Sequence, residues 1–132
     1  MKVKSKSTAA HCPVTTESLS DGVFQGADDL VQFCQSAEVT FGQFELELAM
    51  RLATLGCCLT QLFLTARHER LDIKPFLEDG RFRACDDYAE RTLKTRFGEV
   101  KYGRHYLQPC RGGNGIFPLD ILLGLTWDNI TG

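Results

Sequence analysis

The sequence predicts an α+β fold, in which a long helix and a short helix pack with a small antiparallel β-hairpin or three-stranded meander. Three observations carry that prediction. Apolar residues between Thr40 and about Arg70 recur at heptad spacing, the signature of a long amphipathic helix. Between Arg91 and Tyr106 they alternate with polar residues on either side of Gly98, the period of a hairpin with one buried face. The 132 residues, 43% hydrophobic and 24% charged, fit one ordinary globular domain.

In chain order, residues 1–23 are rich in Ser, Thr and Lys and show little apolar periodicity. They are expected to form a disordered or loosely attached tail ahead of a domain spanning 24–132. No apolar run follows Lys2, Lys4 and Lys6, so no signal peptide is expected and the chain reads as cytoplasmic. Residues 28–38 form a short helix candidate, with Leu30, Phe33, Cys34 and Ala37 at helical spacing and Asp28 and Asp29 in the first turn.

The long helix is expected over 40–70, with Thr40 as its N-cap and a length of ~45 Å at 1.5 Å per residue. Leu48, Leu52, Leu55, Leu59, Leu62 and Ala66 follow steps of four and three, an a/d seam of about three heptads. That seam fits self-association through Leu48, Leu52, Leu55, Leu59 and Leu62, and equally fits packing on neighbouring elements of the same chain. The uncharged run from Leu52 to Ala66 is 15 residues, short of the ~20 a bilayer span needs, so no membrane partner is expected.

Pro75 stops helix continuation, and Asp79-Gly80 is a turn signal. Arg81 to Cys85 reads as a first strand ahead of the hairpin, so that strands occupy 81–108. Leu93, Thr95 and Phe97 face the core from one arm, Gly98 makes the turn, and Val100, Tyr102 and Tyr106 face it from the other. A loop and short helix fill 110–125. CRGGNG is the loop, with glycines that allow φ > 0, and Pro118 opens a helix that Gly124 keeps short.

The net charge of −2 conceals an asymmetry. Seven acidic residues and no Lys or Arg lie between Glu17 and Met50, whereas Arg81 to Arg111 holds eight basic residues against four acidic ones. This local excess is a modest footprint for a polyanion, or simply a solvated charged face. On the hairpin, Lys94, Arg96, Lys101 and His105 are expected to share an exposed face, with Arg91 and Arg104 near its edges and Arg111 in the following loop. These seven are the candidate DNA-binding residues, since Lys and Arg neutralise phosphates and a two-stranded ribbon fits the major groove.

Catalytic and metal chemistry find little support in the spacing. Asp86 and Asp87 are adjacent and face opposite ways on a strand, and Asp120 reads as a capping or first-turn residue. RGGNG lacks the Lys-Ser/Thr of a phosphate-binding P-loop. The six cysteines include no C-x-x-C, which points to reduced thiols, and Cys34, Cys57 and Cys58 read as small buried hydrophobes. No cofactor or metal is expected.

The string ERTLKTRFGEVKYGRHYLQPCRGGNGIFPLDILLGLT closely resembles the N-terminal region of bacterial insertion-sequence transposases of the ISKra type. The family pattern has a T-x-x-G-E-V hairpin, an Arg-aromatic return strand, a Cys- or Gly-rich loop and a P-L-D-x-x-L-G-L segment. Thr95, Phe97, Gly98, Glu99 and Val100 match its first part, Arg104 and Tyr106 its second, and Pro118, Leu119, Asp120, Leu123, Gly124 and Leu125 its last. Many relatives carry a C-x-x-C knuckle in the loop; here Arg111, Gly112 and Gly113 follow Cys110, so no zinc site is carried over. The family's catalytic carboxylates lie in a DDE-type domain downstream of P-L-D, beyond Gly132. The resemblance therefore implies a region that recognises the element's terminal DNA and assembles with a second copy or with a full-length transposase, without the catalytic core. The alternative is a protein-interaction module that docks on, or inhibits, a full-length transposase.

Overall fold

The computed structural model describes residues 14–125 and 130–131. Helix α1 spans Thr16–Ser36, and helix α2 spans Phe41–Glu69. Both begin with a capping box, Thr15 with Ser18 and Thr40 with Gln43, in which the cap hydroxyl accepts from the N3 backbone N–H and the N3 side chain accepts from the cap backbone N–H. The short link turns the chain back, so the two helices pack antiparallel. Phe33 stacks on Phe44 with centroids 5.4 Å apart, Leu55 meets Gly26, and Thr16 bonds Glu69 at the far end.

A four-residue helix α3 (Lys74–Leu77) leads into strand β1 (Phe82–Thr95), which pairs antiparallel with β2 (Gly98–Pro109). Helix α4 (Pro118–Leu123) and a two-residue strand β3 (Ile130–Thr131) follow, giving the sheet order β2-β1-β3. The fold is α+β, a helical hairpin joined to a small antiparallel sheet.

The sheet's β2 edge is where the two halves meet. Cys57 lies near Gly98, Gln61 Nε2 donates to the Lys101 carbonyl at 3.0 Å, and His68 stacks on His105. Hence α2 runs along β2 in the same direction and covers strand backbone that would otherwise invite pairing. Leu107 completes this edge by exchanging backbone hydrogen bonds with Ile116. The core contains Leu64 from α2, Leu93 from β1, Val100 and Tyr102 from β2, and Leu119 from α4, all buried.

Several local expectations are corrected. The residues up to 23 do not all lie in a tail: α1 begins at Thr16, and its apolar set Leu19, Val23, Leu30 and Phe33 continues the spacing read only from 28 onwards. Asp28 and Asp29 are consequently mid-helix. Residues 1–13, with Cys12 and the early lysines, lie outside the described residues. Arg81 to Cys85 is not a separate strand, because β1 is one long strand whose register breaks between Ala84 and Tyr88. Cys34 is exposed, on the outward side of α1.

The hairpin turn is Arg96-Phe97, with Thr95 paired to Gly98. Thr95 Oγ1 accepts from Phe97 N and donates to the Gly98 carbonyl, fixing the turn. Phe97 is therefore a turn residue rather than a strand residue, and its ring lies on Gly56 of α2, where a Cβ would overlap it. Helical glycine ordinarily costs about 1 kcal/mol relative to alanine. Gly56→Ala alone should destabilise by about 1–2 kcal/mol through this overlap. In a Phe97→Ala background the same change should stabilise by up to about 1 kcal/mol. Denaturant unfolding of the four proteins checks the reversal of sign.

Candidate functional site

The structure separates the seven candidate DNA-binding residues into four places. Lys94, Arg96 and Lys101 are exposed together at the hairpin tip. Lys94 pairs across the strands with Glu99, and Thr92 with Lys101, so the two lysines are diagonal neighbours about 7–8 Å apart on one face. Arg96 extends this group into the turn. Glu99 offsets one of the three charges.

Arg91 and Arg104 are not at the rim of that face. Position 104 falls in the same alternating set as Val100, Tyr102 and Tyr106, so its side chain points to the opposite side, where Arg104 is 4% exposed. Its Nη1 donates to Asp120 Oδ2, and Arg91 Nη1 lies 3.5 Å from the same oxygen. Tyr102 donates its hydroxyl to Asp120 Oδ1 at 2.6 Å. The Arg104 guanidinium also lies over the Phe117 ring, 3.4 Å from its centroid. Desolvation pulls the Arg104 pKa below its usual range against the pull of Asp120, and burial with the Asp120 bond raises that of Tyr102. Asp120 thus holds α4 to the sheet through two cations and a phenol. It sits in the first turn of α4, as its position predicts, but it makes no cap bond there.

His105 shares the hairpin face of Lys101, but α2 covers it. Its ring centroid is 4.6 Å from that of His68, and Tyr88 lies edge-on to both. His68 is buried, with Nδ1 unpartnered among the described residues. Desolvation first, then the neighbouring His105, lowers its pKa to about 4, with Glu69 opposing. Arg111, the last of the seven, lies past the far end of β2, ten residues from Lys101 and on the order of 30 Å away at strand rise.

The leucine seam also divides. Leu48, Leu55 and Leu62 are partly covered on the α1 side of α2, whereas Leu52 and Leu59 remain 48% and 46% exposed. With Phe41 and Phe63, also exposed, they form an apolar stripe on the outer side of α2. By length and composition alone, Phe41–Glu69 is apolar enough to cross a bilayer, with a mean hydropathy of 1.4 in its best window. The same helix packs on α1 and β2, and buries Gly56, Leu64, Thr65 and His68 there.

Among the described residues, no group of three or more His, Cys, Asp or Glu is placed to hold a metal ion. The residue the sequence reading missed is Asp120 as an anchor. The alternation on β2 contained the signal, since it sets Arg104 among apolar positions, where an arginine needs a carboxylate. No family model, curated protein or solved structure matches this chain.

Asp120→Ala leaves Arg104 buried without its counter-charge and should cost about 3–5 kcal/mol of stability. Replacing Asp120, Arg104 and Arg91 together with apolar residues of similar volume should cost less than the single change, as denaturant titration would show. Unfolded His68 binds a proton near pH 6.5, whereas the folded residue resists until about pH 4. Stability should therefore fall as pH drops through that window and level off below it. His68→Phe should flatten that part of the pH profile.

Proposed function

We propose that this protein is the DNA-recognition and assembly region of an insertion-sequence transposase. The observation that carries the reading is the exposed group Lys94, Arg96 and Lys101 on the tip of a two-stranded ribbon. A ribbon of this width fits the major groove, and cations at its tip reach phosphates on both sides. Phe97 on Gly56, and Gln61 on the Lys101 carbonyl, brace the tip against α2, so little ordering entropy is lost on binding. The likeness of the Glu90–Thr126 string to the transposase pattern supports the same reading. Arg91, partly buried and paired with Asp120, buried Arg104 and stacked His105 are left out of the contact surface, which reduces the expected footprint to three cations.

Gel-shift titration with duplex from the element's ends tests this reading. Lys94→Glu, Arg96→Glu and Lys101→Glu together should abolish the shift. Three phosphate contacts give a log–log salt slope of about −2.7, and each single alanine replacement should reduce it by about 0.9. Unchanged binding by the triple variant would refute the tip.

The second reading is a protein-interaction module, and the apolar stripe Phe41, Leu52, Leu59 and Phe63 favours it. In that case the chain docks on a full-length transposase through α2 and has no DNA affinity of its own. Leu52→Glu with Leu59→Glu should then abolish co-purification while leaving the fold intact, because both side chains are half exposed.

A further inference from the structure

A cleft of about 450 Å³ lies at the end of the sheet opposite the hairpin tip, between the Asp79–Phe82 turn and the Pro109–Asn114 loop. Its volume falls in the ordinary range of small-ligand sites. We propose that it is a binding site for a nucleoside monophosphate, free or as the terminal nucleotide of a strand. The inference does not depend on the hairpin tip binding DNA.

Two of the lining residues, Phe82 and Pro109, are apolar. Phe82 and Pro109 are direct cross-strand partners and place a ring beside a pyrrolidine at the mouth of the sheet. The Cys110 N–H donates to the Arg81 carbonyl at 2.9 Å and pins the two walls together at this point. The Arg81 guanidinium lies 5.6 Å from the Phe82 ring centroid, a flat cation next to a flat hydrocarbon. A planar base stacks on such a surface irrespective of its sequence identity.

The opposite wall supplies anion-binding groups. Arg111 is exposed beside Gly112 and Asn114 in the cleft lining. A Cβ at Gly112 would meet nothing, so the backbone there is open to close approach. Gly113 has φ 117°, a conformation that L side chains rarely adopt, and so the loop path depends on glycine. The carboxylate in the lining, Asp79, is already engaged. It accepts from Arg81 N at 3.1 Å and from Arg81 Nε at 2.7 Å, and these bonds hold its pKa below the usual carboxylate range. Its bond to the guanidinium uses Nε, and the pair is close to neutral. Arg111 therefore sets the net positive charge of the cleft, and the fork of a guanidinium matches a phosphate in two hydrogen bonds.

NMR titration of the isotopically labelled full chain tests the site, using AMP, adenosine, inorganic phosphate, and a trinucleotide with and without a 5′-phosphate. AMP and the 5′-phosphorylated trinucleotide should shift the amides of Phe82, Gly112, Gly113 and Asn114. Adenosine, inorganic phosphate and the unphosphorylated trinucleotide should each bind more weakly by about tenfold or more, because each lacks one half of the recognition. A stronger response to the phosphorylated trinucleotide than to AMP assigns the site to strand ends; the reverse assigns it to free nucleotide. Arg111→Ala should weaken AMP by about tenfold. The triple glutamate variant at the hairpin tip should leave AMP binding unchanged, so failure here and failure at the tip are read separately. No shift at Gly112 to Asn114 with millimolar AMP, or an Arg111→Ala variant that binds AMP as the parent does, would overturn the site.

Discussion

The buried carboxylate of Asp120 is the interaction on which the C-terminal half of the molecule depends. It accepts from Tyr102, Arg104 and Arg91, and so ties a six-residue helix to two strands. A helix of that length has almost no stability of its own, since nucleation takes most of what its few hydrogen bonds return. Its position therefore rests on Asp120 and on the burial of Pro118 and Leu119. Phe117, at the cap position, lies beneath the Arg104 guanidinium and beside the Tyr106 ring, 5.3 Å away. Two cations facing one carboxylate leave the cluster with a formal positive charge in a half-dry setting. Geometry of this kind holds a single arrangement well and tolerates the loss of one partner poorly.

The second constraint is the open edge of β2. A long hairpin standing alone is marginal in water, and here α2 supplies the missing wall. The helix accordingly serves two partners. One side buries against α1, and another meets the strand through Cys57, Gln61, Leu64 and His68. The glycine at 56 makes the approach close enough for the hairpin turn to rest on the helix. This arrangement leaves the tip exposed yet braced.

Much of this was legible in the residues, and the failures have physical causes. The long helix, its Thr40 cap, the antiparallel strand pair and the Pro118-to-Gly124 helix all follow from local rules of periodicity, capping and φ, and the structure has each of them, with the hairpin turn at Arg96-Phe97 in place of Gly98. The α1 start was missed because Ser and Thr dominate residues 15–20 and hide the apolar spacing of Leu19 and Val23. The seam was legible as a pattern but not as a destination: the same leucines suit a second chain or a neighbouring helix, and three of the five lie on the α1 side. The burial of Arg104 depends on Asp120, sixteen residues later, and no local rule pairs them. His105 illustrates the same limit, since only the path of α2 decides that an outward-facing ring is covered.

The register break between Ala84 and Tyr88 has a consequence for the molecule's behaviour in crowded solution. Strand β1 is fourteen residues long, and only Thr92 and Leu93 are paired on its outer side by β3 among the described residues. An unbroken, flat edge of that length would template the addition of further strands, the first step towards fibrils. The bulge bends the strand and spoils the repeat on which such stacking depends. Arg83, Glu90 and Lys94, all exposed, space like and unlike charges along it, so that a second copy laid in register meets its own charges. The irregularity that interrupts the ladder thus protects the longest strand from polymerising.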